Sequence, residues 1–261
     1  MTKKQSAATK QANAQRAAER AAAIRREQER KERRRRTLWV SLSILVVLAV
    51  VVVIAVAVQA GRDTTGQVST PPDGAVDEYA LGYGKASAPV TVDVYEDFMC
   101  PFCGQFEAAS GAMLEGYVGQ GDVQVRYHVI SILDGASSGS DYSTRAMSAL
   151  GVVLDTSGAE AAKRFHDLLF DNQPEEGTEG LSDDRLVELA AEAGAEEAEV
   201  RGPIADRKFE QWVKNATDQA SKDEVAGTPT VRVDGETVEL TSTIDVLLAD
   251  TEQAIEAALA E

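Results

Sequence analysis

Leu38 to Val58 form a run of 21 residues whose only polar members are Ser41 and Ser43. A helix rising about 1.5 Å per residue would span roughly 30 Å over that length, the thickness of a bilayer's hydrocarbon core. A cleaved leader is the competing reading, because Ala55-Val56-Ala57 loosely resembles a small-residue cleavage site. Leaders have apolar regions of about 7–15 residues behind a short basic stretch. Here the run is longer and 37 residues precede it, so the pattern predicts a transmembrane helix over 38–58.

Charge orients that helix. Of the whole chain's formal charge of −17, residues 1–37 hold 13 Lys/Arg against 4 Asp/Glu, and the remainder holds 13 against 39. Arg33 to Arg36 abut the run, whereas the far side has only Arg62, followed by Asp63. The positive-inside rule places the 1–37 arm in the cytoplasm and everything after residue 59 outside, a single-pass protein of the cell membrane. Trp39 stands where an interfacial anchor belongs. The basic arm reads as a topology signal attracted to anionic headgroups, with nucleic-acid or specific lipid binding as the alternative. The acidic remainder argues against nucleic acid as its partner.

Beyond the run, residues 59–76 contain Gly, Thr, Ser, Asp and Pro71-Pro72 and read as a solvated tether. Residues 77–260 are long enough for one domain with its own core. Val90 to Tyr95 alternate and are β-branched, as a strand requires. They lead through Glu96-Asp97-Phe98-Met99 into Cys100, and a helix-compatible stretch runs from Phe102 to about Tyr117. A second strand, Val123 to Ile130, completes a strand–helix–strand unit, expected to be parallel. A helical block follows over about 138–222. Ala146, Met147, Leu150, Val153 and Leu154 share one helix face, and Phe165, Leu168 and Leu169 another. Ser182 caps a helix ended by Gly194, and a further helix runs from about Ile204 to Ala220 after a break at Gly202-Pro203. Thr230 to Val233 and Thr237 to Leu240 flank Asp234-Gly235, a hairpin signal, and Ile244 to Leu259 reads as the last helix.

Cys100 and Cys103 are the only cysteines. With no distant pair to staple the fold, they are there for chemistry. Pro101 suits the first helical position, which places Cys100 at the helix N-terminus. Unpaired N–H groups and the positive dipole end favour an anion there, so Cys100 is expected to be the exposed, low-pKa thiolate and Cys103 the buried resolving thiol. A catalytically silent disulfide is one alternative. A zinc site is another, and it would need Cys100, Cys103, His128 and His166 to converge. Haem attachment would require His where Gly104 stands. No metal and no separate cofactor are expected, the Cys100–Cys103 disulfide being the redox group itself.

With Ala88 to Cys103 and, far downstream, Val225-Ala-Gly-Thr-Pro-Thr-Val-Arg-Val233, the chain resembles the membrane-anchored DsbA-like disulfide oxidoreductases of the thioredoxin superfamily. The resemblance covers roughly residues 77–260. It implies an α/β thioredoxin fold with an inserted helical subdomain, Pro229 as the family's cis-proline beside the cysteines, and Thr228 offering backbone hydrogen bonds to an extended substrate. It implies exported protein thiols as substrates and a quinone-linked membrane partner that reoxidises the pair.

There are departures. Phe102 stands where strongly oxidising relatives often carry His, and it cannot assist the thiolate. Val94 stands where many relatives carry a buried Glu, with Asp93 and Glu96 near but not on that position. Pro101, Phe102 and Asp97 are the residues expected to modulate the pair. Asp97 matches an acidic position common in the family, with capping or solvent exposure as the alternative to proton handling. His128, mid-strand among apolar residues, reads as a packed side chain. His166 beside Asp167 reads as exposed, and Phe209 and Trp212 as core. Three readings stand: disulfide formation, reduction or isomerisation on the same fold, and a non-catalytic peptide-binding or chaperone module.

Overall fold

The computed structural model describes residues 68–239 and 243–260. The basic arm 1–37, the apolar run 38–58, tether residues 59–67 and Leu240 lie outside the described residues. Among the described residues no helix is long and apolar enough to cross a membrane.

Among the described residues six strands form one sheet: β1 (Ala75–Val76), β2 (Ala80–Tyr83), β3 (Val90–Glu96), β4 (Val123–Val129), β5 (Thr230–Val233) and β6 (Glu236–Val238). Their spatial order is β1-β2-β4-β3-β5-β6. The central pair β3–β4 is parallel, with Val92 opposite Val125, and every other pairing is antiparallel. The parallel pair requires a crossover, supplied by α1 (Pro101–Gln120). Gly121 ends that helix at φ 84°, donating to the carbonyls of Tyr117 and Val118, a left-handed stop that suits glycine. The β5–β6 hairpin turns on Asp234 and Gly235, both at positive φ, as the Asp-Gly pair predicts.

Between β4 and β5 lie α2 (Tyr142–Asp171), α3 (Asp183–Glu192), α4 (Glu197–Ala205) and α5 (Glu210–Lys222), and α6 (Ile244–Leu259) closes the chain. Helix α2 is two helices joined at Gly158, whose φ of 81° is non-helical. The two apolar faces expected in this region fall on either side of that break. Ser182 caps α3 by accepting from the Arg185 N–H, as expected. Val92, Val94, Phe106, Met147, Phe165, Phe209, Trp212 and Val231 belong to one continuous core.

Three expectations are corrected. Ala75 and Val76, read as tether, pair with β2, because the short Ala80–Tyr83 strand offers them an edge that no local pattern announces. Pro203 lies inside α4 rather than interrupting a helix. The carbonyl it leaves without a donor belongs to Glu199, which is exposed, so water can satisfy it. The expected helix from Ile204 is instead broken over 206–209, where Arg207 takes a φ of 49°.

Candidate active site

The β3 strand delivers the chain to Cys100, the N-cap of α1, with Pro101 in the first turn. Both cysteines are free thiols, Cys103 with no exposure and Cys100 with 5%. Cys100 is therefore less open than a helix end predicts. The cause lies 128 residues away: the Thr228–Pro229 bond is cis, and the Thr228 carbonyl oxygen is 3.4 Å from Cys100 Sγ. Phe102, by contrast, is 57% exposed.

The two thiols are driven apart chemically. Cys100 falls from its ordinary value to about 6, because the Cys103 thiol, the Thr228 hydroxyl and the N–H groups of Cys103 and Phe102 favour its thiolate against the opposing effect of burial. Cys103 is pushed well up by burial, by Cys100 and by the charge of Glu96. A nucleophile ionised at neutral pH beside a protonated resolving thiol is what exchange needs.

Asp97 is fully buried rather than exposed. Its carboxylate accepts from the Met99 N–H at 2.9 Å, the Leu133 N–H at 2.9 Å and Ser143 Oγ at 2.6 Å. It thus ties the approach to Cys100 to the segment after β4 and to the start of α2. Burial pushes it up to about 6 against those hydrogen bonds.

His166 is also corrected. It has no exposure and lies among Phe98, Tyr127 and Phe170. Its Nε2 meets Glu96 Oε1 and its Nδ1 meets Asp167 Oδ1 at 3.0 Å, so both ring nitrogens are satisfied and burial is tolerated. Those carboxylates outweigh burial and hold His166 up to about 9. His128 packs as expected, stacked on Tyr95 and bonded to Asp93 at 2.8 Å. Of the two groups of facing metal-type ligands among the described residues, neither contains a cysteine.

Two contributors were missed in sequence. Gln173 Nε2 donates to the carbonyls of Phe98 and Cys100 at 3.2 and 2.9 Å, bracing the turn that carries the nucleophile. Gly104 makes room for it, since a Cβ there would lie 2.4 Å from Gln173 Oε1. Glu96 is the second. It continues the Val90, Val92, Val94 alternation, which places it on the same strand face as those core valines.

A parallel-centred sheet, a Cys-Pro-Phe-Cys helix start and a cis-proline facing the nucleophile define a thiol–disulfide oxidoreductase of the thioredoxin fold. Residues 77–252 match the family model described as Thioredoxin, and the chain belongs to that family. It is similar to the crystal structure of reduced DsbA from Mycobacterium tuberculosis, at 34% identity and a TM-score of 0.56, over 69% of this chain and 98% of that one. It is similar to the probable disulfide bond formation protein D of Bacillus cereus, 26% identical over 155 residues, 58% of this chain and 68% of that protein. It also matches the serine/threonine-protein kinase PknE of M. tuberculosis, 34% identical over 116 residues. That match takes in 43% of this chain but only 20% of the kinase's length.

Proposed function

We propose that this protein forms disulfides in exported proteins through Cys100 and Cys103, held at the cell membrane by the 38–58 segment with its N-terminal arm cytoplasmic and its thioredoxin domain outside. The observation that carries the redox direction is the stabilised Cys100 thiolate. A thiol that ionises at about 6 instead of its ordinary value stabilises the reduced enzyme at pH 7 by on the order of 1.4 kcal/mol, or about 30 mV toward the oxidising end. This stabilisation arises without a His between the cysteines, from the groups that surround the sulfur.

In the cycle, a substrate thiolate attacks Cys100 Sγ of the oxidised pair. The Cys100–Cys103 bond breaks, and Cys103 leaves and takes up a proton. A second substrate thiolate then attacks the substrate sulfur of the mixed disulfide, and Cys100 leaves as a thiolate. The substrate is oxidised by two electrons and the enzyme is reduced by two. Thr228 and Pro229 position the substrate backbone, Pro101 and Phe102 shape its approach, and a quinone-linked membrane partner restores the disulfide. The match to a disulfide bond formation protein and the apolar, arginine-flanked run support this reading.

The test is the reduction potential of the full chain equilibrated against glutathione. A value above about −270 mV, displaced toward the roughly −120 mV of strong oxidants, is expected; one at or below about −270 mV would overturn disulfide formation in favour of reduction or isomerisation. Loss of all exchange in Cys100→Ser with peptide binding retained is also expected. If the unaltered protein binds peptides but never exchanges, it is a binding or chaperone module.

A further inference from the structure

The exchange chemistry draws on Glu96 only through its charge on Cys103 and leaves the rest of its buried cluster unused. Glu96 ends β3, Glu107 lies in the second turn of α1 and His166 projects from α2. One ligand atom from each lies within 4.8 Å of the other two. The side chains of Glu96 and His166 have no exposure. Two oxygens of the cluster, Glu96 Oε2 and Glu107 Oε1, are buried without a hydrogen-bond partner. Burying a carboxylate oxygen that way is costly unless something positive meets it.

The histidine is oriented for a ligand's role. Its Nδ1 faces Asp167 Oδ1 at 3.0 Å, and Lys163 Nζ holds that carboxylate at 2.5 Å. An Nδ1–H donated to a carboxylate leaves Nε2 as the nitrogen that can release its proton and turn a lone pair to a metal, as in the carboxylate–histidine pairs that support metal-binding imidazoles. That Nε2 points at Glu96. The rings of Tyr127, Phe170 and Phe98 wall the imidazole at 4.4, 5.1 and 5.7 Å. Glu107, Lys163 and Asp167 also line a solvent-open cleft of about 290 Å³, which gives an ion a way in and leaves room for a water.

We propose that Glu96, Glu107 and His166 bind one divalent transition-metal cation, of which Zn²⁺ best matches their chemistry. One imidazole nitrogen, two carboxylate oxygens and a cleft water make four donors of the kinds zinc takes at about 2.0–2.2 Å. Calcium wants about six to eight oxygens, more than this cluster offers. Charge is conserved on binding. Without the ion, burial and the charge of Glu96 favour the protonated form of Glu107, while the facing carboxylates hold the proton on His166 against the opposing effect of burial. Zinc enters with two positive charges as two protons leave, one from Glu107 and one from His166 Nε2, so the buried charge is unchanged. The site uses no cysteine, and its failure would leave the chemistry of Cys100 and Cys103 untouched.

The experiment uses the full chain in detergent with Cys100–Cys103 kept as a disulfide, which removes the thiols as competing ligands. After equilibration with Zn²⁺ and removal of free ion, elemental analysis should find one zinc per chain, with a raised Tm. Glu107→Gln, nearly isosteric and checked for its fold by circular dichroism, should bind about tenfold or more weakly and lose the Tm shift. If that variant fails to fold, Asp167→Asn serves in its place, because it keeps all three ligands while loosening the Nδ1 anchor. Co²⁺ in place of zinc should give visible d–d bands without a thiolate charge-transfer band. Absence of zinc from the oxidised protein, or equal affinity in the variant, would overturn the proposal and leave protons as what holds the cluster together.

Discussion

The Thr228 carbonyl oxygen and the Cys100 sulfur lie 3.4 Å apart across 128 residues of chain, so the proposed substrate-binding residue and the proposed nucleophile form one surface. The same residue's hydroxyl helps to favour the Cys100 thiolate. Thr228→Val keeps the backbone and the shape and removes that donor. The Cys100 pKa is expected to rise from about 6 by a fraction of a unit, the scale of one charge-assisted hydrogen bond shared among several. Ultraviolet thiolate absorbance against pH measures it, and an unmoved titration would mean the hydroxyl contributes nothing.

Alkylation should report the two sulfurs separately. With Cys100 ionising at about 6, its reaction with iodoacetamide should be half-maximal near that pH, some units below an ordinary thiol. Cys103, raised well above the ordinary range and wholly buried, should stay unmodified at neutral pH. Mass spectrometry of the reduced protein after brief labelling at pH 7 checks both. Equal labelling of the two sulfurs would contradict the assignment of roles.

Asp97 should show its burial in a stability profile. Its folded pKa of about 6 exceeds the ordinary carboxylate value of about 3.9. The stabilisation from the protonated form is therefore present below about pH 4 and is lost as pH rises through about 6. Asp97→Asn places an amide –NH₂ against a donor, whichever way it turns, because both oxygens accept hydrogen bonds. It should cost about 1–3 kcal/mol. The Tm gap between the protein and the variant should be widest in acid and shrink between pH 4 and 7. A gap that is flat with pH would show that Asp97 does not titrate in that window.

Local pattern made much of this legible in the chain itself. Alternation marked β3 and β4, Pro101 placed Cys100 at a helix start, Ser182 marked a cap, and Asp234-Gly235 marked a hairpin. The place of Pro229 beside the cysteines came from family resemblance, since nothing local brings residues 100 and 229 together. What stayed hidden depends on partners remote in sequence. His166 looked exposed because its satisfying carboxylate, Glu96, is 70 residues away. For Asp97 the sequence left capping or exposure open beside proton handling, because two of its three donors, Leu133 and Ser143, arrive from later elements. The β1–β2 hairpin escaped notice because Gly82 and a two-residue partner strand carry no periodic signal.

Two glycines of α1 should answer differently to the same substitution. In an exposed helix interior, Gly→Ala stabilises by about 0.8–1 kcal/mol. Gly116 meets that condition: it is exposed, and an added Cβ would meet nothing within 4 Å. Gly104 does not, because its Cβ would lie 2.4 Å from Gln173 Oε1. The amide would have to move, and its hydrogen bonds to the carbonyls of Phe98 and Cys100 would go with it, at about 1 kcal/mol each. Gly116→Ala is therefore expected to raise stability by nearly the full helical increment, while Gly104→Ala gains nothing or loses about 1 kcal/mol. Because the lost bonds brace the turn at Cys100, Gly104→Ala should also slow thiol exchange, and Gly116→Ala should not. Urea unfolding and a single-turnover exchange assay on both variants separate the two effects. Equal stabilisation with unchanged exchange would show that Gln173 braces nothing.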